Sequence, residues 1–382
     1  MEEPQIATAG EFAELMDFID LVFRPGQVGK RIVQRQYPHL YRDDKAHMKR
    51  HLVLRDAGEI VGQLAIHPLH LRVENLRLCA GGIGTVATHP DRRGQGIMGR
   101  LLAAATRLMG QRDYDLSILG GDRQRYGWFG WENAGTKVVF QVTQRCVGRP
   151  SPAERRLKLQ CNPLMTPALC ARLKKESQRR RVGVVRKPSE VEPIFRRTSR
   201  DIWVVRDGRR FAYLVLGGQG HQARPYERVD EAGGDVELVH SALRVLMGRF
   251  RLSALRAVAA PDPLDMHLYE PISSEWSSAS DMMVKVLDTP RLLHKLEPLL
   301  REKMQRFGLV GSFVFESETG EKWGQLKAGG KSPQKLVLSE RELVRLLFGH
   351  VPLEQMWHVG KEMEILARIL PLKLFVPPLN HI

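Results

Sequence analysis

VATHPDRRGQGIMGRLL, residues 86–102, reads as a strand, a basic glycine-rich turn and a helix. An apolar run begins at Ile83 and ends with Val86, Ala87 and Thr88, where Pro90 and Asp91 break it. Arg92, Arg93, Gly94, Gln95 and Gly96 follow, and then Ile97, Leu101, Leu102, Ala105, Leu108 and Met109 recur at helical spacing. Glycines let the backbone turn tightly and bring its N–H groups close to a ligand. A helix start adds unpartnered donors and a partial positive charge, and the two arginines add full charges. Such a unit suits a pyrophosphate or a similar polyanion. It has neither the G-x-G-x-x-G of a dinucleotide fold nor the Gly-Lys-Ser/Thr of a Walker loop.

The spacing Arg93-x-x-Gly96 after a strand resembles the (Gln/Arg)-x-x-Gly-x-(Gly/Ala) acetyl-coenzyme A signature of the GNAT acyltransferase superfamily, with Met98 at the last position. The flanking elements agree. Thr8 and Glu11 form a capping box ahead of Phe12, Leu15, Met16, Ile19 and Phe23. A more polar segment, 31–51, carries Tyr37, His39 and Tyr41, which together with Asp43 and Asp44 are candidates to wall an acceptor cleft. Strands 51–55 and 59–67 flank Asp56-Ala57-Gly58, 69–80 alternates, and 83–88 leads into the turn. Beyond the helix come strand 116–119, Gly120-Gly121-Asp122, the cluster Tyr126-Gly127-Trp128-Phe129-Gly130-Trp131, and strand 138–142. This is the element order of one GNAT domain, expected over residues 1–145.

At 382 residues the chain has room for two or three domains, and 43% hydrophobic with 27% charged residues is an ordinary globular balance. No apolar run approaches the ~18 residues of a membrane helix. MEEPQIATAG lacks the basic and apolar regions of a signal peptide. Cys79, Cys146, Cys161 and Cys170 show no C-x-x-C or zinc spacing, so a reduced, cytoplasmic setting is expected. The histidines show no H-x-x-x-H pattern, and no metal site is expected. A net charge of +16 permits a nucleic acid, an anionic cofactor or a solvated basic surface. The densest basic cluster, Arg172 to Lys187, has no interleaved aromatics for base stacking and reads as an exposed helix face with a linker.

The middle of the chain echoes the first part. Residues 203–215 form a hairpin signal around Asp207-Gly208, like 52–66, followed by helix 236–247 and strand 252–258. Where a second phosphate loop would lie stands Asp230-Glu231-Ala232-Gly233-Gly234-Asp235, whose carboxylates repel a pyrophosphate. Residues 146–280 are therefore expected to form a degenerate GNAT-like fold that does not bind coenzyme A. Residues 281–382 read as an α+β unit: strand 282–287, helix 290–303, strands 313–316 and 323–326 about Thr319-Gly320, a helix after the capping box Ser339–Glu342 ending at Gly349, and helix 363–370 stopped by Pro371. The fold class is α+β, mixed α/β.

The coenzyme A loop, the Tyr-Gly-x-Phe-Gly cluster and the VKVLD-to-LLFG region together resemble the enhanced-intracellular-survival family of acetyltransferases. That resemblance implies tandem GNAT folds, a sterol-carrier-protein-like C-terminal domain and a homo-oligomer, a hexamer in the family. It also implies acetyl transfer to a primary amine of an aminoglycoside, polyamine or lysine. The family's general acid corresponds to Tyr126, with Trp128 replacing an arginine. Its general base, the terminal carboxylate, corresponds to Ile382, where family members often end in an aromatic. Val86, Ala87 and Thr88 would line the pantetheine arm. Arg92, Arg93, Gly94, Gln95, Gly96 and Ile97 would hold the pyrophosphate, and Gly121 and Asp122 would lie near the thioester. Phe375 and Val376 can anchor the tail, and Pro377-Pro378 can stiffen its approach to the first domain. His89 reads as structural and His381 as an alternative base. The competing reading is a non-catalytic acyl-coenzyme A-, lipid- or nucleic-acid-binding protein.

Overall fold

The structure is a computed structural model that describes residues 1–197, 200–218, 226–330, 332–356 and 361–382. The first part contains β1 (Gln5–Ile6), α1 (Phe12–Phe23), α2 (Ile32–Gln36), α3 (Lys45–Met48), β2 (His51–Asp56), β3 (Glu59–Val73), β4 (Leu76–Thr88), α4 (Ile97–Gln111), β5 (Leu116–Leu119), α5 (Arg123–Tyr126) and β6 (Glu132–Ala134). The middle contains β7 (Lys137–Thr143), α6 (Gln144–Val147), β8 (Leu159–Cys161), α7 (Pro167–Ser177), β9 (Val182–Val184), α8 (Pro188–Phe195), β10 (Arg200–Asp207), β11 (Arg210–Gly217), β12 (Arg228–Gly234), α9 (Val236–Phe250), β13 (Ala254–Ala259), α10 (Pro263–Tyr269) and β14 (Ser273–Ala279). The last part contains β15 (Met282–Val286), α11 (Thr289–Arg306), β16 (Gly311–Ser317), β17 (Lys322–Ala328), β18 (Gln334–Leu338), α12 (Glu340–Phe348), α13 (Leu353–Met356) and α14 (Lys361–Ala367).

Local signals act as expected. Glu11 accepts from the Thr8 N–H at 2.5 Å and from its hydroxyl at 2.7 Å, and α1 then buries Phe12, Leu15, Met16 and Ile19. The turn between β2 and β3 places Ala57 and Gly58 at φ 49° and 86°, the left-handed pair that matches strand twist in a tight hairpin. Ser339 and Glu342 cap each other at the start of α12. Among the described residues, no helix is long and apolar enough to cross a membrane.

Two sheets repeat one plan. The first runs β1-β2-β3-β4-β5-β15-β6, with β9 added to β3, and the second runs β14-β7-β13-β12-β11-β10-β8. In each, the fourth and fifth strands from the N-terminal edge are parallel and joined by a fifteen-residue helix, α4 or α9. Each sheet takes its sixth strand from the far side of the other. β7, expected to close the first fold, lies between β13 and β14 of the second, while β15 enters the first sheet between β5 and β6. The burial pattern accounts for the exchange. Val138, Phe140 and Val142 of β7 point into the second core, and Met283 of β15 joins the core beneath α4. The remaining sheet, β17-β16-β18, shares one continuous core with α11, α12, β15 and the lower ends of β3, β4 and β5.

Candidate active site

The parallel pairing of β4 with β5 is short. Ala80, Gly81 and Gly82 face Leu116, Ser117 and Ile118, and beyond them no further pair forms. Past that point Ile83–Thr88 has lost its neighbour on the β5 side, and its backbone groups face a cleft. Within it β4 carries one extra residue relative to β3, because Gln63 pairs with Ala87 but Ala65 with Gly84. The bulge is at Thr85–Val86, and Thr85 has φ 45°, a strained value for a β-branched residue. Three side chains fix it. The Tyr41 hydroxyl lies 3.1 Å from the Thr85 hydroxyl, the Gln63 amide donates to the Thr85 carbonyl, and the His67 ring packs against Gly84. His51 reaches Gln63 at 3.3 Å, and the rings of Tyr41, His51 and His67 meet within 5.5–6.3 Å. Burial pushes the His67 imidazole well below its usual pKa, and both its nitrogens lack hydrogen-bond partners among the described residues. Sequence reasoning singled out Tyr41 but missed His51, Gln63 and His67, which look like ordinary positions in half-apolar strands.

At the mouth of the cleft, α4 starts at Gly96 with no side chain capping it. Gly94 and Gly96 have φ 79° and 74°, and each faces open space. Arg92, Arg93, Gly94, Gln95 and Gly96 are exposed. Arg92 reaches Asp56 at 3.4 Å, while Arg93 makes no ion pair among the described residues. The Ile97 side chain is core, so only its backbone faces the loop, and Met98 packs against the same core. Ala87 is likewise buried, leaving Val86 and Thr88 as the partly open positions. The helix start therefore combines uncapped donors, open space around the glycines and an exposed guanidinium, a combination that suits an anion.

On the other arm, Asp122 caps α5 by accepting from the Gln124 N–H at 2.8 Å. The Tyr126 ring lies so close to Gly121 that a Cβ there would come within 2.4 Å of it. Tyr126 belongs to the core with Leu119, Trp131 and Met283, makes no hydrogen bond among the described residues, and has its phenol pKa raised by burial. Of its neighbours, Trp131 is fully buried and Phe129 packs on Gly99, whereas Trp128 is 89% exposed and is not packing.

The chain terminus enters the same cleft. A Cβ on Gly82 would come within 2.2 Å of the Ile382 side chain, which packs against the core that contains Tyr41. A cavity of ≈ 90 Å³ is lined by Ile118, Leu119, Gly120, Asp281, Met282, Val376, His381 and Ile382. Asp281 Oδ2 accepts from the Val376 N–H at 2.8 Å, Oδ1 is buried without a partner among the described residues, and burial raises the pKa of Asp281 to about 6. Nothing in the sequence around Asp281 marks it. His381 ties Nε2 to the Val376 carbonyl at 2.9 Å, and burial lowers its pKa to about 4, so it fastens the tail. His89 accepts from the Asp91 N–H and stacks on Phe18. Tyr37 lies under the Arg197 guanidinium, His39 is buried, and Asp44 caps α3 through the His47 N–H. Asp43 is solvated at the edge of this group.

Residues 3–134 match the family model of the acetyltransferase (GNAT) domain. The first fold has the architecture of a GNAT acetyltransferase domain. Over its whole length the chain resembles a GCN5-related N-acetyltransferase from Anabaena variabilis, with 16% identity, 100% of both chains covered and a TM-score of 0.71. A GCN5-related N-acetyltransferase from Kribbella flavida matches at 15% identity over 100% of this chain and 98% of that one, TM-score 0.69. Eis1 from Mycobacterium abscessus matches at 12% identity over 98% and 99%, TM-score 0.61. At these identities the likeness is one of fold. No curated protein matches the sequence significantly.

The second fold differs from the first at the corresponding strand end and helix start. The run 230–235, expected as a loop, lies in β12 up to Gly234, and Asp235 directly caps α9 by accepting from the Leu238 N–H at 2.9 Å. Its bulge residue, Asp230, is held by Arg200 and Arg228. Where β12 and β13 diverge, Arg180 donates to the Ala232 carbonyl at 2.7 Å and to both oxygens of Asp265, and Arg186 pairs with Glu231. The expectation of an exposed basic face at 172–187 is thus corrected for these two arginines. Each is buried because a buried carboxylate neutralises it.

Proposed function

We propose that this chain transfers an acetyl group from acetyl-coenzyme A to a primary amine in the cleft between β4 and β5. The observation that carries the reading is the convergence on one short strand end. The β4 bulge, the Tyr126–Gly121 contact and the Ile382–Gly82 contact lie on the stretches of β4 and of the segment after β5 where the pairing of the two strands stops. The cofactor's pyrophosphate lies on Arg93, Gly94 and Gly96 at the open start of α4, with Arg92, Gln95 and the Ile97 N–H beside it. Its pantetheine runs along Val86, Ala87 and Thr88, and Gly121 and Asp122 border the thioester.

The bulge N–H groups polarise the thioester carbonyl. The amine lone pair forms the new N–C bond as the C–S bond breaks. Tyr126, kept protonated by burial, gives its proton to the leaving thiolate. The terminal carboxylate of Ile382 takes the proton from the amine, and Asp281 holds the cationic acceptor at the cavity wall. Two carboxylates at one small cavity favour a positively charged acceptor of aminoglycoside, polyamine or lysine type. The family pattern adds a cytoplasmic homo-oligomer, a hexamer, a second GNAT-like unit that begins with β7 and not after 145, and a sterol-carrier-like unit that follows β15, the strand lent to the first sheet.

Calorimetry with acetyl-coenzyme A and turnover on a panel of such amines test this. Saturable binding with turnover is expected. No binding at millimolar cofactor overturns the reading. Tyr126→Phe should lower kcat by about 10²-fold and leave cofactor affinity unchanged, because it removes a proton donor and keeps the packing.

A further inference from the structure

The end of the chain is fastened mainly to the second fold. Leu379 is fully buried in the core formed by Met165, Leu169, Phe195 and Tyr213. Arg197 donates to the carbonyls of Pro378 and Leu379 at 3.2 and 3.1 Å, and reaches back to the first domain through the Gln36 carbonyl at 3.1 Å. Arg186 donates from Nε and Nη2 to Asn380 Oδ1 at 2.9 and 2.7 Å. The same guanidinium is paired in bidentate fashion with Glu231, which also accepts from the Tyr213 hydroxyl at 2.8 Å. Arg186, Arg197, Tyr213, Glu231, Leu379 and Asn380 are buried. Burial alone would raise the Glu231 pKa, but Arg186, together with Arg180 and the Tyr213 hydroxyl, more than offsets it, and the carboxylate stays charged.

The arrangement is economical in two ways. Asn380 is two residues from Ile382, and two residues of extended chain span at most about 7 Å. A rigid hold on Asn380 therefore leaves the last carboxylate little freedom. Arg186 has its charge spent on Glu231, so it grips the tail through a neutral amide and does not draw in the terminal carboxylate, whose basicity an arginine would lower.

We propose that Arg186 and Asn380 form a clamp by which the second fold positions the terminal carboxylate of Ile382 in the first domain's cleft. The cleft that no longer suits a cofactor has become the anchor for a group that acts in the other cleft. This rests on the reading of Ile382 as proton acceptor, and both residues are positioning residues that do not touch substrate.

Three variants of the full chain test it: Asn380→Leu, Asn380→Ala, and the wild type extended by one glycine after Ile382. The two substitutions keep the Arg186–Glu231 pair, and the alanine leaves room for water to replace the lost acceptor. Each should lower kcat by 10-fold or more, with KM for acetyl-coenzyme A within twofold of wild type. The glycine extension should do the same, because it moves the charge. Combining Asn380→Ala with the extension should produce no further loss, since both displace one carboxylate. A purely structural role for Asn380 would multiply the two effects and would refute the clamp. A kcat within twofold of wild type for both substitutions, alongside a damaged extension, also refutes it while leaving Ile382 as base. Full activity of the extended chain removes the base and the clamp together.

Discussion

The two clefts are built on one strand order and differ in what fills the gap between their parallel strands. In the first, eight residues separate β4 from α4, the helix start is uncapped, and the nearest arginines are exposed. In the second, one residue separates β12 from α9, that residue caps the helix, and two arginines fill the gap from inside with their own carboxylates. The same residue type stands exposed to solvent in one cleft and is internal structure in the other. What distinguishes them is whether a carboxylate is already within reach.

The sharpest way to break this comparison is to remove an arginine from the filled cleft. Arg180→Met leaves Asp265 buried without its partner and should cost about 3–5 kcal/mol, read by chemical denaturation. It should not create a second cofactor site, so calorimetry should show unchanged stoichiometry. A second equivalent of bound acetyl-coenzyme A would mean that the arginines merely block a competent site.

Matched changes at the two helix starts come next. Gly96→Glu puts a carboxylate at the open start of α4 and strains a φ of 74°. It should weaken acetyl-coenzyme A binding by at least about 10-fold, in line with the energy of a charged contact at a helix terminus. Asp235→Ala, at the capped start of α9, should leave binding unchanged and cost about 1 kcal/mol of stability. Equal effects of the two on cofactor binding would erase the distinction.

The smallest effect is a titration. Glu231 in the filled cleft is held below the usual carboxylate range, whereas Asp281 in the open one is raised to about 6. An acid whose folded pKa is raised binds more protons when native, so between its ordinary value near 4 and 6 it subtracts stability as pH rises. Its charged form, needed to hold a cationic acceptor, is lost as pH falls through 6. The acceptor kcat/KM should therefore decline through pH 6 on acidification, and Asp281→Asn should lack that inflection. An unchanged inflection in the variant would assign it elsewhere.

Much of the first cleft was legible because its signals are local. Capping boxes, the Ala57-Gly58 turn, the glycine spacing of residues 93–96 and the apolar face of α4 each act within one or two turns of chain. Asp281, His51, Gln63 and His67 were not legible. Asp281 is buried only because Val376 and the last residues fold over it, and the histidines matter only because β3 lies in register with the β4 bulge. Arg180 and Arg186 were misread for the same reason: a basic run looks solvated until distant carboxylates are brought to it.

The sequence by itself determined an acetyltransferase-like first fold with a basic, glycine-rich helix start at Arg93–Gly96 and an acidic run at the matching place of the second fold, because charge and backbone freedom are properties of neighbouring residues. Only the tertiary structure decided which strand completes which sheet. β7 and β15 are both short and apolar, and register is set by the core each one meets. Tertiary structure likewise decided that Ile382 would lie against Gly82, some three hundred positions away in sequence. A terminus has no preference of its own; buried contacts with Arg186, Arg197 and the core around Leu379 bring it there.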